Sequence, residues 1–141
     1  MSVAQTRDIT ACRALRRAVF IKEQGVSEAD EIDDLDDIAV HLLAYISGQA
    51  VGSARLLTDG ATGKIGRVCV LKEVRGQGVG AALTRAAVDH FRAQGLSQIK
   101  LSAQLSAVAF YDSLGFTAHG PVYFDAGIDH RDMMLLLNAS A

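Results

Sequence analysis

The stretch KIGRVCVLKEVRGQGVGAALTRAAVDHFRAQG, residues 64–95, decides the fold of this chain of 141 residues. It opens with an apolar, β-branched run over residues 65–71, which is typical of a largely buried strand. From Val79 onward the apolar residues recur at helical spacing, and Gly95 stands where a left-handed C-terminal cap is expected. The stretch therefore predicts a strand, a glycine-rich turn and a helix, in that order.

The junction of this strand and helix predicts an anion-binding site. The first N–H groups of a helix have no partner within it, and the helix dipole adds about half a positive charge there. Gly76, Gly78 and Gly80 carry no Cβ, so a phosphate can approach the backbone closely. Arg75 adds a fixed cation with several donors. We expect a ligand that bears phosphate groups.

Two common phosphate-binding motifs fit this turn poorly. A P-loop needs Lys and Ser or Thr after its last glycine, whereas Ala81 and Ala82 follow Gly80. A dinucleotide fingerprint matches loosely at Gly76, Gly78 and Ala81, but it requires an acidic residue about twenty positions later, where the sequence reads LSQIKLSAQ. The P-loop is rejected, and dinucleotide binding is kept as a weak alternative.

Two motifs of the chain are similar to those of one enzyme family. The turn RGQGVG, residues 75–80, resembles the R/Q-x-x-G-x-G/A motif of the GCN5-related N-acetyltransferases (GNAT family), and a V-x-V strand precedes it as in that family. The segment QLSAVAFYDSLGF, residues 104–116, resembles the family's N-x-x-A-x-x-F-Y-x-x-x-G-F segment, with Gln104 where Asn is commoner. The two motifs span roughly the C-terminal half of the chain.

Shorter pieces look like the small bacterial branch of this family that includes the ElaA and YjcF proteins. These pieces are VF-x-x-EQGV, E-x-DD-x-D-x-x-A-x-H, RVCV, LSAQ and F-x-x-GI-x-H-x-x-M. Asp129 stands before the histidine, where that branch commonly has proline. This difference from the family pattern bears on the expected shape of the local turn and not on the resemblance to the family.

The resemblance implies the acyl-CoA N-acyltransferase (GNAT) fold, an α/β fold with a mixed central β-sheet flanked by helices. The remaining sequence agrees with an approximate element order of βαββββαβαββ in a single domain, residues 1–141. The strand at 98–103 is expected to run parallel to the central strand, since a helix connects them. Other strands are predicted at 3–7, 41–46, 50–57, 116–124 and 129–137, and other helices from Asp8 or Thr10 to about Gly25 and at 106–114.

Composition narrows the class of protein. A net charge of −2 argues against a general nucleic-acid binder, which needs a basic face. The sequence shows no apolar run of membrane-spanning length and no signal-peptide core. Cys12 and Cys69 are not at metal-ligand spacing and are interpreted as reduced thiols. We expect a cytoplasmic monomer or homodimer with no metal, nucleic-acid or membrane partner.

The resemblance implies acetyl-coenzyme A as the donor co-substrate. The diphosphate is expected on the N–H groups from Gln77 to Ala81, and the pantetheine arm is expected to pair with strand backbone as an added strand would. An N–H near Val70 would stabilise the developing oxyanion. The predicted cofactor-binding residues are Val68, Cys69, Val70, Arg75, Gly76, Gln77, Gly78, Val79, Gly80, Ala81, Gln104, Ala107, Phe110 and Tyr111.

The acceptor implied by the resemblance is a small-molecule or peptide primary amine that attacks the thioester directly in a ternary complex. A lysine-like amine has a pKa of about 10.4, so a general base or a water chain must first remove a proton. Glu23, in the VF-x-x-EQ phrase, and His130 are the candidate bases. Tyr111 matches the family tyrosine and is the candidate acid for the leaving thiolate; alternatively, it only packs and hydrogen-bonds the cofactor sulfur.

An acidic stretch and one cysteine leave further alternatives open. Residues 28–37 are rich in Asp and Glu, which predicts a solvated loop or helix face or, alternatively, a surface that attracts a cationic amine. Ile32, Leu35 and Ile38 hint that one face of this segment packs down. Cys69 is interpreted as a small buried residue rather than a nucleophile. The alternative function is an acyl-CoA-binding regulatory module with little turnover.

Overall fold

The computed structural model describes residues 1–137, which form a mixed seven-stranded sheet with helices on both faces. The strands are β1 (Ser2–Thr6), β2 (Val40–Ile46), β3 (Gln49–Asp59), β4 (Thr62–Val70), β5 (Gln98–Gln104), β6 (Thr117–Asp125) and β7 (Ile128–Leu136). The helices are α1 (Ile9–Arg16), its π-helical continuation (Arg17–Glu23), α2 (Glu28–Glu31), α3 (Val79–Ala93) and α4 (Val108–Ser113).

The strand order β1-β2-β3-β4-β5-β7-β6 confirms the predicted mixed sheet. All neighbours pair antiparallel except β4 and β5, which are parallel and joined through α3 as expected for a strand–helix–strand unit. The predicted element order gives four strands between the first helix and the helix that follows the glycine-rich turn, whereas the described residues contain three there, β2, β3 and β4. The three strands that were predicted with bounds are all present, and β3 continues through residues 58–59, two residues beyond its predicted end, before it turns at Gly60 into β4.

The helix α3 packs on one face of the sheet. Its residues Leu83, Ala87 and Phe91 are fully buried, in agreement with the helical spacing of the sequence. A Cβ on Gly63 of β4 would come within 2.6 Å of the Phe91 ring, so the strand must carry glycine where this ring crosses it. The helix ends at Ala93, and Gly95 just beyond it adopts a φ of 75°, which confirms the predicted left-handed cap.

The opposite face of the sheet is covered by α1 and its π-helical continuation. Cys12, Leu15 and Val19 are buried there against Leu43 of β2 and Cys69 of β4. Because side chains alternate across a strand, the neighbours of Leu43 belong to the cluster beneath α3 instead. The central strands are therefore buried on both faces, and β4 is held between the two helices.

Arginines from α1 and β3 hold the acidic segment against the protein. Asp36, only 5% exposed, accepts hydrogen bonds from Arg16 (2.6 and 3.0 Å), Arg13 (3.1 Å) and Arg55 (3.3 Å). Burial on its own would raise the pKa of Asp36, but these donors, Arg16 foremost, hold it well below its usual range. Buried Arg16 also lies 2.9 Å from buried Glu31.

The expected orientation of this segment is wrong in two respects. Glu31 and Asp36 are buried rather than solvated, because they neutralise buried guanidinium groups that would otherwise be unpaired. Ile32 and Ile38, which were predicted to pack down, are 60% and 74% exposed. The buried side of the segment is therefore the charged one, and its fit to the protein is set by ion pairs.

Asp36→Asn is expected to lower the free energy of unfolding by about 3 to 5 kcal/mol at neutral pH, since it leaves buried arginines without their counter-charge. The depressed pKa of Asp36 means that its contribution is present above the unfolded-state pKa, near 4, and is lost as the pH falls toward the lower folded-state pKa. Urea unfolding between pH 7 and pH 2 measures both effects. Asp34→Asn, at an exposed position, is the control, and equal losses in the two variants would contradict the prediction.

Candidate active site

The strands β4 and β5 pair along only four residues and then diverge. Residues 62–65 face residues 98–101 in parallel register, and no pairing continues beyond Ile65 and Leu101 in the described sheet. A bulge in β4 accounts for this, because the register with β3 shifts there and Arg67 adopts a φ of 51°. The divergence opens a cleft between the carboxyl ends of the two strands.

The glycine-rich turn lies at the mouth of this cleft and fits an anion. Gly76 and Gly78 both have φ of 84°, and Gly78 stands at the N-cap of α3. The first helical hydrogen bond runs from the Ala82 N–H to the Gly78 carbonyl (3.0 Å), so the N–H groups of residues 79–81 precede it. A Cβ on Gly80 would come within 3.4 Å of the Phe110 ring, which shows how little space separates the turn from α4.

Two cavities occupy the cleft and share part of their walls. The larger, about 530 Å³, follows the glycine-rich turn and the end of β4. The smaller, about 340 Å³, lies between β4, β5 and the β6–β7 hairpin. Both are lined by Gln24, Val68, Ala107 and Tyr111, so a molecule in one can meet a molecule in the other at these residues.

The structure brings together most of the residues predicted to bind the cofactor. Gln104 lines the smaller cavity, and Gln77 lines neither. The others lie in the wall of the larger cavity, as the sequence motifs suggested. They are Val68, Cys69, Val70, Arg75, Gly76, Gly78, Val79, Gly80, Ala81, Ala107, Phe110 and Tyr111.

The backbone of Val70 faces the cleft. Val70 lies opposite Gly52 of β3, and the next residue, Leu71, donates its N–H to Val51 (2.9 Å). Since successive residues of an antiparallel pair point their backbone groups to alternate sides, those of Val70 point away from β3. The Val70 carbonyl is held there by the Arg75 guanidinium, whose Nε and Nη2 donate to it at 3.1 and 2.9 Å.

Arg75 and Glu23, both predicted site residues, form an ion pair. The Nη2 of Arg75 donates to the Glu23 carboxylate at 2.6 Å, and Nη1 donates to the second carboxylate oxygen at 2.5 Å. The hydrogen bonds from Arg75 lower the pKa of Glu23 below its usual value. Both oxygens of the carboxylate are engaged, so this pair leaves Glu23 poorly placed to accept a proton from an amine.

Tyr111 is buried where the two cavities meet. Its ring packs edge-on against Phe110 and Phe116, with centroids 5.0 and 6.0 Å away, and only 8% of the residue is exposed. Burial raises the pKa of Tyr111 to about 12. The hydroxyl therefore stays protonated and is available as a hydrogen-bond donor.

His130 lies on β7 in the wall of the smaller cavity. Its Nδ1 is 2.8 Å from the Ile128 carbonyl, which can only accept, so Nδ1 carries the proton and Nε2 of the neutral ring is left as an acceptor. The ring stacks on Tyr123, whose hydroxyl donates to Asp132 at 2.7 Å. This packing fixes the imidazole in one orientation.

Cys69 is 3% exposed, and its Sγ lies 3.3 Å from the Ser53 hydroxyl. Burial raises the pKa of the Cys69 thiol, which keeps the thiol protonated and unreactive. Cys69 thus fits the interpretation of a small buried residue.

Gln24, which was not among the predicted site residues, lines both cavities and accepts a hydrogen bond from Gln104 at 2.9 Å. The only feature of the sequence that pointed to Gln24 was its place in the VF-x-x-EQ phrase. Arg67, which lines the smaller cavity from the bulge, was missed because a bulge leaves no local pattern in the sequence.

Within residues 1–137, His, Cys, Asp and Glu side chains nowhere gather in threes that could hold a metal ion. None of the helices described above has the length and apolar character needed to cross a membrane.

Comparison with known proteins gives concordant results. The model of the acetyltransferase (GNAT) domain family matches residues 9–137. The uncharacterized N-acetyltransferase YjcF of Bacillus subtilis is 38% identical, covering 85% of this chain and 86% of that protein. An acyl-CoA N-acyltransferase from Pseudomonas aeruginosa superposes with a TM-score of 0.83 at 32% identity, covering 95% of this chain and 99% of the other. Escherichia coli ElaA gives the same TM-score at 27% identity, with 95% and 98% covered.

Proposed function

This chain belongs to the acetyltransferase (GNAT) family and is an enzyme of that family; we propose that it transfers an acetyl group from acetyl-coenzyme A to a primary amine by direct attack in a ternary complex. The observation that best supports this reaction is the meeting of two cavities at Tyr111, one beside an anion-binding turn and one beside a histidine with a free ring nitrogen. Such an arrangement suits a donor and an acceptor that must be bound side by side.

The residues of the larger cavity fit coenzyme A. The N–H groups of residues 79–81 would bind the diphosphate, and the missing Cβ of Gly80 leaves the backbone accessible to it. The backbone of Val68 and Val70 would pair with the amides of the pantetheine arm. When bound, acetyl-coenzyme A supplies a thioester carbonyl that an amine can attack.

His130 is the proton acceptor that the geometry favours. Its Nδ1–H is held by the Ile128 carbonyl, so Nε2 can take a proton from the incoming amine. Glu23, the other candidate, has both carboxylate oxygens bound to Arg75. We therefore assign the base role to His130 and a different role to Glu23.

Tyr111 would act on the leaving group. With a pKa of about 12, its phenol gives up its proton reluctantly, so it donates a hydrogen bond to the departing sulfur rather than losing the proton outright. Its rigid packing between Phe110 and Phe116 keeps the hydroxyl in one place.

The acceptor would occupy the smaller cavity. The charged side chains in its wall comprise the carboxylates of Asp30, Glu31 and Asp125 and a single guanidinium, that of Arg67. Glu31 is neutralised by Arg16, which leaves the Asp30 and Asp125 carboxylates against Arg67. This balance favours an acceptor amine that is cationic in solution. The free thiols of Cys12 and Cys69 are consistent with action in the reducing cytoplasm.

A panel of amines assayed with acetyl-coenzyme A tests the proposal directly. Release of free thiol that depends on one class of amine is the expected result. Coenzyme A binding without transfer to any amine would favour the regulatory-module alternative, and thermal stabilisation by NAD alone would overturn the proposed donor.

Gly80→Val should weaken coenzyme A binding at least tenfold, since the added side chain would fill the narrow space between the turn and Phe110. Gly80→Ala adds one methyl group at ordinary contact distance and should have a much smaller effect. Titration calorimetry gives both dissociation constants. Wild-type affinity in both variants would show that the ligand does not approach this turn.

Tyr111→Phe should lower kcat by about 100-fold while leaving coenzyme A affinity nearly unchanged, because only the interaction with the leaving sulfur is lost. Steady-state kinetics and calorimetry separate the two quantities. Tyr45→Phe, on β2 and outside both cavities, is the matched control. If Tyr111→Phe turned over as fast as the wild-type enzyme, Tyr111 would have no role at the leaving sulfur.

His130→Gln should lower kcat/KM by about 100-fold and change the shape of its pH profile, because the proposed proton acceptor is lost. His119→Gln, on the neighbouring strand and outside both cavities, should keep the wild-type rate and profile. Rates measured between pH 5 and pH 9 decide the matter. A His130→Gln profile parallel to that of wild type would exclude His130 as the base.

A further inference from the structure

Glu23 and Gln24, neighbours in sequence, reach the two walls of the cleft separately. Through Arg75, the Glu23 carboxylate is connected to the Val70 carbonyl at the end of β4. Gln24 accepts a hydrogen bond from the Gln104 side chain at the end of β5, at 2.9 Å. Together these contacts cross the opening between the two strands at the level where they have diverged.

The two residues rest on a firmly packed support. Gln24 closes the π-helical turn with its N–H bonded to the Val19 carbonyl at 3.0 Å. Val19 is 3% exposed in the apolar cluster beneath α1, so the helix end cannot move far from the sheet. A π-helical turn is wider than an α-helical one and is frequently found where side chains are positioned for function.

We propose that Glu23 and Gln24 form a clasp, together with Arg75 and Gln104, that holds the ends of β4 and β5 at a fixed separation. The inference rests on the proposed function, because the clasp spans the place where the two cavities meet. Both residues would be positioning residues that act through the strand ends.

The contacts of Arg75 within residues 1–137 use four of its five N–H groups, which leaves one N–H of Nη1 for another ligand. Its Nε donates to the Val70 carbonyl, Nη1 donates to Glu23, and Nη2 donates to both. The planar guanidinium matches the planar carboxylate through two parallel bonds, which fixes orientation as well as distance.

The contribution of the clasp to folding is expected to be small. The Arg75 and Glu23 side chains are 40% and 32% exposed, and ion pairs so accessible to water add little to stability. Their effect would instead be on ligand binding. A cleft that is already held at one width loses less conformational entropy when the ligand binds. Loss of the clasp should therefore appear in binding and turnover more than in unfolding.

The test uses Glu23→Gln, Arg75→Gln and the double variant in the full chain. Each single change should lower kcat and weaken coenzyme A binding by a similar factor, roughly tenfold, because either change breaks the connection from Glu23 through Arg75 to the Val70 carbonyl. The double variant should lose no more than either single variant. Glu28→Gln, which breaks the exposed Arg17–Glu28 ion pair on a neighbouring segment, should change neither quantity.

Gln24→Ala, Gln104→Ala and their double variant test the second half of the clasp in the same way. Here too the double variant should lose no more turnover or coenzyme A affinity than either single variant. Glu23→Gln should also keep the wild-type shape of the pH–rate profile at reduced height.

Three outcomes would overturn the clasp. Loss of the pH dependence in Glu23→Gln alone would make Glu23 the base. Weakened coenzyme A binding in Arg75→Gln but not in Glu23→Gln would make Arg75 a phosphate ligand. Multiplying losses in the double variant would mean that the two residues act separately.

Binding and turnover also separate this inference from the proposed function. If the wild-type chain binds coenzyme A but acetylates no amine, the proposed reaction fails. The clasp is then tested by the coenzyme A dissociation constants of the variants alone. If the chain is active but lacks the expected pattern among variants, only the clasp fails. If it binds no coenzyme A, both fail.

Discussion

The separation of β4 from β5 is the constraint on which the rest of the site depends. Two parallel strands that stayed paired would bury their backbone groups in each other and leave no room for a ligand. The bulge at Arg67 ends the pairing after four residues and turns the backbone of Val70 toward open space. The glycine-rich turn, Tyr111 and His130 then line this one opening, each brought there by a different connection.

Ion pairs hold the part of the smaller cavity's wall that comes from the segment between α1 and β2. Arg16 from α1, Arg55 from β3 and Arg67 from the bulge all reach carboxylates of the segment between α1 and β2. That segment contributes Asp30 and Glu31 to the cavity wall. The same ion pairs that bind the segment to the sheet therefore shape the place where an acceptor would lie.

The sequence was most informative where function depends on the backbone or on a short motif. Glycines at 76, 78 and 80 and the Phe110–Tyr111 pair predicted the fold, the turn and most of the larger cavity. The packing of residues 28–38 could not be predicted, because ion pairs between distant residues leave no periodicity, and the spacing of Ile32 and Ile38 suggested the wrong face. The link from Glu23 to Arg75 crosses more than fifty positions of sequence and becomes visible only in three dimensions.

The sharing of Asp36 among three arginines has an evolutionary consequence. Of this group, Arg16, Arg55 and Asp36 are buried, and a change of charge at one of these three would leave a buried partner without its counter-charge, so these positions should vary jointly or stay fixed across descendants of the gene. Diversification toward new acceptors would then be confined to rim positions such as Asp30 and Asp125, which make no ion pair within residues 1–137 and can mutate one at a time.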